Sequence, residues 1–250
     1  MTNELPEKRL FCFGYGYTAA VLAATLRNAP KANWSIAGTT RDPAKVRSLR
    51  DLDIKAYLMD ENRALVDPLG MLAGATHILI TTPPDDEGCP VYRLHAQDIL
   101  DTPGVEWVGY LSATSVYGNR DGEWVDETAE TRPISKRGSR RLTAEEQWRS
   151  LHKSDNLPIH TFRLAGIYGP GRSGLDSVRA GRARRIKKDG HAFNRIYVED
   201  IAQVLRASMA KRQPGAVYNV SDDRPAGSWE VISYACELVG IEPQPLMSFE

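Results

Sequence analysis

Gly14-Tyr15-Gly16-Tyr17-Thr18-Ala19 fits the pattern Gly-x-Gly-x-x-Gly/Ala and stands where that pattern has meaning, between an apolar run at Leu10 to Phe13 and a helical stripe. The stripe is Ala19, Leu22, Ala23 and Leu26, spaced i, i+3, i+4 and i+7, one face of a helix packed on a sheet. In such a strand–turn–helix unit the first glycine permits the tight turn and the second lets the backbone approach a pyrophosphate. Small Ala19 lets the helix pack close, while the N-terminal amides around Tyr17 and Thr18 hold the anion. The motif predicts a Rossmann-type, doubly wound parallel α/β sheet that binds a nicotinamide dinucleotide. An ordinary glycine turn is the alternative, and the strand–turn–helix setting weighs against it.

Outward from this turn, short apolar runs alternate with helical patterns, the order that builds a parallel sheet. Strands are expected at Trp34 to Gly38, Ile54 to Leu58, His77 to Thr81, Glu106 to Leu111 and Ile159 to Leu164. Helices are expected from Asp42-Pro43, with Asp as N-cap and Pro at the first helical position, and over Tyr92 to Leu100 and Ser139 to His152. Beyond Gly166 the alternation breaks down, and Gly169-Pro170-Gly171 opens an irregular, basic stretch as far as Arg195. The expected division is a Rossmann domain over 1–165 and a small, interleaved C-terminal substrate lobe over 166–250, with returning Rossmann elements near 200–221. Those include a helix with Asp200 and Gln203 as a capping box and a strand at Val217 to Val220; Val231, Ala235 and Leu238 stripe a last helix.

Composition narrows the function classes. The 42% hydrophobic and 26% charged residues are ordinary for a globular chain, and 32 Lys plus Arg balance 32 Asp plus Glu, so net charge implies neither a nucleic-acid nor a membrane partner. Cys12, Cys89 and Cys236 are odd in number and far apart, against a disulfide framework or zinc site. The five histidines lack metal-ligand spacing, so no metal is expected. The N-terminus carries charges where a secretion signal needs apolar residues, so a cytoplasmic location is expected.

Cofactor choice is read about 20 residues past the glycine turn, where an acidic residue would bond the ribose 2′-hydroxyl of NAD. Here stand Thr39, Thr40 and Arg41, two hydroxyls and a guanidinium that suit a 2′-phosphate. Asp42 is the contrary feature, but its place before Pro43 already explains it as a helix cap. NADP(H) is favoured, with NAD(H) the alternative.

Three further segments resemble the extended short-chain dehydrogenase/reductase superfamily of NAD(P)-dependent epimerases, dehydratases and reductases. Leu111 to Gly118, ending Val116-Tyr117-Gly118, looks like its Ser/Thr-rich fifth strand. Arg163 to Arg172, containing Tyr168-Gly169-Pro170-Gly171, resembles its Arg-x-x-x-x-Tyr-Gly-Pro-Gly segment, and Arg195 to Ile201 its Ile-His-Val-x-Asp signature. The resemblance implies that Asp60 contacts the adenine and that Thr81, Thr82 and Pro83 lie along the dinucleotide. A plain loop carboxylate is the other reading of Asp60. A homodimer is implied only by analogy.

The resemblance also exposes a departure. Hydride chemistry in the family uses a Tyr-x-x-x-Lys pair, in which lysine stabilises the phenolate of an otherwise poor base. No lysine of this chain has a tyrosine four residues before it. Arg137 stands for the tyrosine and Arg141 for the lysine, and a guanidinium cannot move protons near pH 7. The family's catalytic Ser/Thr position is Ala113, with Thr114 and Ser115 beside it. Tyr117 and Tyr168 are the candidate replacement acids, although each also reads as a tyrosine packing before a glycine turn. A carboxylate of the acidic loop, Glu123, Asp126 or Glu127, would serve only if burial raised its pKa.

The substrate is expected to be a small molecule, phosphorylated or nucleotide-linked, with Arg172, Arg185 and Arg195 as binding candidates in the basic lobe; a solvated surface is the alternative for that stretch. Two functions stay open. One is an atypical NADP(H)-dependent oxidoreductase or sugar-nucleotide-modifying enzyme. The other is a non-catalytic dinucleotide sensor or regulator.

Overall fold

Leu10, Phe11, Cys12 and Phe13 are all fully buried, and they alternate between two cores: Leu10 and Cys12 face one layer of helices, Phe11 and Phe13 the other. Such a strand cannot show the polar alternation of a half-wet sheet, which is why it reads as a continuous apolar run. The computed structural model describes residues 7–30 and 33–249; residues 1–6, which contribute to the N-terminal charge reading above, lie outside them. The strand is β1 (Lys8–Phe13), followed by α1 (Tyr17–Arg27), β2 (Trp34–Thr40), α2 (Pro43–Asp51), β3 (Lys55–Leu58), α3 (Pro68–Leu72), β4 (His77–Ile80) and α4 (Pro90–Leu100). Then come β5 (Trp107–Ala113), a short 3-10 turn (Thr114–Tyr117), α5 (Lys136–Asp155) and β6 (Ile159–Leu164). The remaining elements are β7 (Gly166–Tyr168), α6 (Gly174–Arg179), β8 (Ile186–Lys187), β9 (Arg195–Tyr197), α7 (Val198–Ala210), β10 (Val217–Val220), α8 (Ser228–Val239) and β11 (Met247–Ser248).

The seven-stranded sheet has the order β10-β6-β5-β4-β1-β2-β3, and every pairing in it is parallel. The protein is therefore a doubly wound α/β fold. Its order reverses between β1 and β4, which opens a crevice at the carboxyl ends of these strands. One helical layer contributes Ala19, Leu22, Val46, Leu49, Ile201 and Leu205; the other contributes Leu72, Val91, Ile99, Ala144 and Trp148.

Some local expectations shift for physical reasons. Asp200 does not cap α7. Tyr197 is the N-cap, Glu199 and Asp200 sit in the first turn, where carboxylates meet the positive end of the helix, and Gln203 Nε2 donates to Asp200 Oδ1 at 3.1 Å. Helix α5 begins three residues before Ser139, because the Ser135 hydroxyl accepts from the Gly138 amide at 3.1 Å. In α8 the buried face is Ala235 and Cys236 while Leu238 is 58% exposed, since this helix packs mainly on short α6 in a small cluster with Val178. The irregular stretch holds α6 and β8, with β7 just before it and β9 at its end, elements too short for a periodicity signal.

His77 opens β4 between the rings of Trp34 (4.9 Å) and Trp107 (6.2 Å), with Nδ1 2.9 Å from Thr76 Oγ1. Burial, reinforced by the charge of Lys8, lowers its pKa from 6.5 to about 4. The unfolded chain accepts a proton near pH 6.5 that the folded chain refuses until about pH 4, so stability falls as pH drops through that window. Denaturant unfolding at pH 7 and pH 5 should show about 2 kcal/mol less of this loss in His77→Gln than in the wild type. Equal slopes would mean that the imidazole is not held neutral.

Candidate active site

The glycine turn is braced from three strands. Gly14 has φ +89°, and a Cβ there would stand 2.7 Å from Thr81 Oγ1, so both conformation and space call for glycine. Its amide donates to Thr39 Oγ1 at 2.8 Å, its carbonyl accepts from Thr81 Oγ1 at 2.5 Å, and Thr82 Oγ1 donates to the Phe13 carbonyl at 3.2 Å. Pro83 follows in the exposed loop past β4. Thr39 is therefore a correction in role: its side chain is buried and supports the turn instead of facing a cofactor phosphate.

Gly16 differs from Gly14. Its backbone is extended (φ −100°, ψ −160°), and apart from the Gly14 carbonyl oxygen at 4.0 Å nothing stands within 4 Å of where a Cβ would go. Helix α1 has no side-chain cap and no acidic residue in its first turn. Thr18 and Ala19 are buried against the sheet, leaving their helix-end amides as the unclaimed donors. An open glycine beside an uncapped helix end fits a pyrophosphate group. Tyr17 does a different job with its side chain, donating from its hydroxyl to the Pro170 carbonyl at 3.0 Å and so tying the turn to the Gly169-Pro170 segment.

At the end of β2, Thr40 Oγ1 accepts from the Asp42 amide at 3.2 Å, and Asp42 caps α2 by accepting from the Ala44 amide at 2.8 Å. Arg41 is exposed and has no side-chain partner among the described residues. Lys45, four residues on, reaches back to the Tyr15 carbonyl at 2.6 Å, which leaves two of its three N–H donors free. The sequence reading missed Lys45; its signal was a second cation one helical turn after Arg41. Asp60 accepts from the Asn62 amide at 3.0 Å and pairs with Arg63 at 3.8 Å in a turn just past β3.

Past β5 the chemistry is mostly committed. Tyr117 is buried; its hydroxyl donates to Asn219 Oδ1 at 2.7 Å and accepts from Arg163 Nη1 at 2.8 Å. Arg163 is itself paired with buried Glu145 at 2.8 Å, and Ser112 Oγ donates to Glu145 Oε1 at 2.5 Å. This chain of contacts links β5, α5, β6 and β10. It leaves Tyr117 as part of the core lattice, and Asn219 as a residue the sequence reading did not use. Glu127 of the acidic loop accepts from the Asn219 amide at 2.7 Å. Hydrogen bonds from Thr128 hold the Asp126 carboxyl below its ordinary pKa, so it stays ionised.

Tyr168 lies half-buried beside Ile196, Asp200, Asn219 and Asp222, in a recess of about 530 Å³. Burial first, then the charge of Asp222 and a hydrogen bond to it, push its pKa up. It stays a phenol at neutral pH and can donate but not accept a proton. Thr114 is half-buried, and Ser115 Oγ is buried without a partner.

Of the three lobe arginines, Arg185 donates to Ser233 Oγ and the Gln244 carbonyl, both at 2.9 Å, and Arg195 to the carbonyls of Phe193 and Ala226 at 3.2 and 2.9 Å. Both hold the lobe together. Arg172 is exposed, and its side chain makes no hydrogen bond or ion pair among the described residues. No group of three or more His, Cys, Asp or Glu among the described residues could hold a metal, and no described helix is long and apolar enough to cross a membrane.

The sequence pattern of the NAD dependent epimerase/dehydratase family matches residues 93–221, just over half of the chain. The chain belongs to the NAD-dependent epimerase/dehydratase family. A solved structure of a functionally unknown conserved protein from Silicibacter pomeroyi DSS is 46% identical, with a TM-score of 0.87, covering 97% of this chain and 82% of that one. Protein YeeZ of Escherichia coli (strain K12) is 29% identical over 252 residues, 94% of this chain and 85% of the relative. A UDP-glucuronic acid 4-epimerase from Bacillus cereus, solved in complex with NAD, is 16% identical with a TM-score of 0.79 over 97% of this chain and 87% of that one, and shares the fold.

At the two positions where the resemblance places the epimerase/dehydratase tyrosine and lysine, the arginines behave differently. Arg141 turns inward and donates from Nη1 to the Leu111 carbonyl at 2.6 Å, with Nε buried and unpartnered. Arg137 is exposed and has no side-chain partner among the described residues.

Proposed function

We propose that this protein binds NADP(H) across the Gly14 to Ala19 turn and acts as an atypical oxidoreductase or sugar-nucleotide-modifying enzyme of its family, with arginine where relatives carry a proton-transferring tyrosine. The observation that carries the proposal is the pairing of an open Gly16 and an uncapped α1 with two cations, Arg41 and Lys45, at the end of β2. The amides of Tyr17, Thr18 and Ala19 take the pyrophosphate; Thr81 and Thr82 shape the floor; Arg41, with Lys45, takes the 2′-phosphate. Asp42 does not oppose this, because its carboxylate is spent on the Ala44 amide. The nicotinamide supplies hydride donation or acceptance. Arg172 is the lobe cation available to a phosphorylated or nucleotide-linked substrate.

A second reading, a dinucleotide sensor without turnover, is favoured by one observation: the Tyr117 hydroxyl is held between Asn219 and Arg163. Titration with NADPH and NADH tests the first part. Arg41→Ala should weaken NADPH binding by more than about tenfold and leave NADH nearly unchanged. Equal losses for both would remove the 2′-phosphate role. Incubation with carbonyl compounds and nucleotide sugars, following both the absorbance of the reduced nicotinamide and the conversion of the substrate, then separates the two readings: cofactor consumption or sugar-nucleotide conversion supports the enzyme, and tight binding with neither supports the sensor.

A further inference from the structure

The first six residues of α5, Lys136 to Arg141, include four cations and no acid, at the helix end where positive charge is unfavourable. Three of the four are compensated. Asp86 takes Lys136 at 3.1 Å and Arg140 at 2.7 Å, and the Leu111 carbonyl takes Arg141 at 2.6 Å. Arg137 is the exception, exposed and with no partner among the described residues. Its position is also constrained. The next residue, Gly138, is buried so close to the 3-10 turn that a Cβ on it would stand 2.6 Å from the Ser115 carbonyl. The first turn of α5 is thus seated on the carboxyl end of β5, beside β4, whose following threonines close on the glycine turn. The Ser115 hydroxyl, in the 3-10 turn that Gly138 packs against, is buried and makes no hydrogen bond among the described residues. A buried hydroxyl without a partner marks a place where a partner is expected.

We propose that Arg137, with Ser115 as a second donor, is an anion seat that receives a carboxylate or phosphate oxyanion of the substrate at the nicotinamide end of the cleft. This deepens the function proposed above and rests on it. A guanidinium offers two parallel N–H donors that match either oxyanion, and it keeps its charge at any physiological pH. The substrate class is one that carries an anionic group where a family relative would present a neutral hydroxyl to its tyrosine. Arg137 binds and orients there; it moves no proton.

The test uses the full chain saturated with NADP⁺, titrated calorimetrically with oxalate and, separately, with inorganic phosphate, in the wild type and in Arg137→Ala, Arg137→Lys and Ser115→Ala. At least one anion should bind the wild type. Arg137→Ala should weaken it by about tenfold or more, Arg137→Lys by less, and Ser115→Ala by a few-fold, with NADP⁺ affinity unchanged in all of them. Preference for oxalate assigns a carboxylate substrate, and preference for phosphate a phosphorylated one. Binding of neither anion at millimolar concentrations, or equal binding to Arg137→Ala, overturns the seat. If NADP⁺ itself does not bind, the proposed function fails, and the same titrations on the free chain decide the seat by the same criterion.

Discussion

Replacing Glu145 with alanine should lower the unfolding free energy by about 3–5 kcal/mol, because it leaves the Arg163 guanidinium charged, buried and unpaired. Glu145 is 1% and Arg163 3% exposed, so water cannot take over the lost partner. The damage should spread along the chain of contacts: Ser112 loses its acceptor, and Arg163, which also holds the Tyr117 hydroxyl, loses its anchor. Denaturant unfolding of the single variant and of Glu145→Leu with Arg163→Met separates two meanings of the result. The double variant should recover much of the loss, since two apolar side chains of similar volume replace a pair whose desolvation nearly cancels its attraction. A single-variant loss under about 1 kcal/mol would show that the pair is not sealed from solvent.

Gly16→Val should reduce dinucleotide affinity by about a hundredfold or more, equivalent to about 2.7 kcal/mol, while the melting temperature falls by only a few degrees. The fold gives Gly16 no reason to be glycine. Its φ and ψ are those of an extended residue, and the space around its absent Cβ is open. Loss of glycine as the N-cap of α1 costs about 1 kcal/mol at most. What the valine would fill is the open space through which, in the proposed function, the pyrophosphate approaches. Gly14 cannot serve for this comparison, because its positive φ and the Thr81 hydroxyl beside it make any substitution there a test of folding. Unchanged affinity in Gly16→Val would remove the dinucleotide from this turn and with it the proposed function.

The residues legible without a structure are those whose role follows from near neighbours. Gly14 and Gly16 are set by one turn, Ala19, Leu22, Ala23 and Leu26 by one helix face, and Asp42 by the helix it starts; each was readable because periods of two and 3.6 and cap positions are local properties. The succession of apolar runs and helices likewise predicted a doubly wound parallel sheet. Whether a polar side chain stays free for a ligand is a different matter, because its competitor can come from anywhere in the chain. Thr39 is taken by Gly14, Tyr117 by Arg163 and by Asn219 over a hundred residues away, Arg185 by Ser233, and Arg195 by Ala226. Among the described residues no side chain captures Arg41, Arg137 or Arg172 in this way. The sequence by itself determined where the glycine turn forms and which family the chain resembles. Only tertiary packing decided which charged and hydroxyl groups were spent on the core, because burial drives most polar groups to find a partner and the nearest one in space is seldom the nearest in sequence.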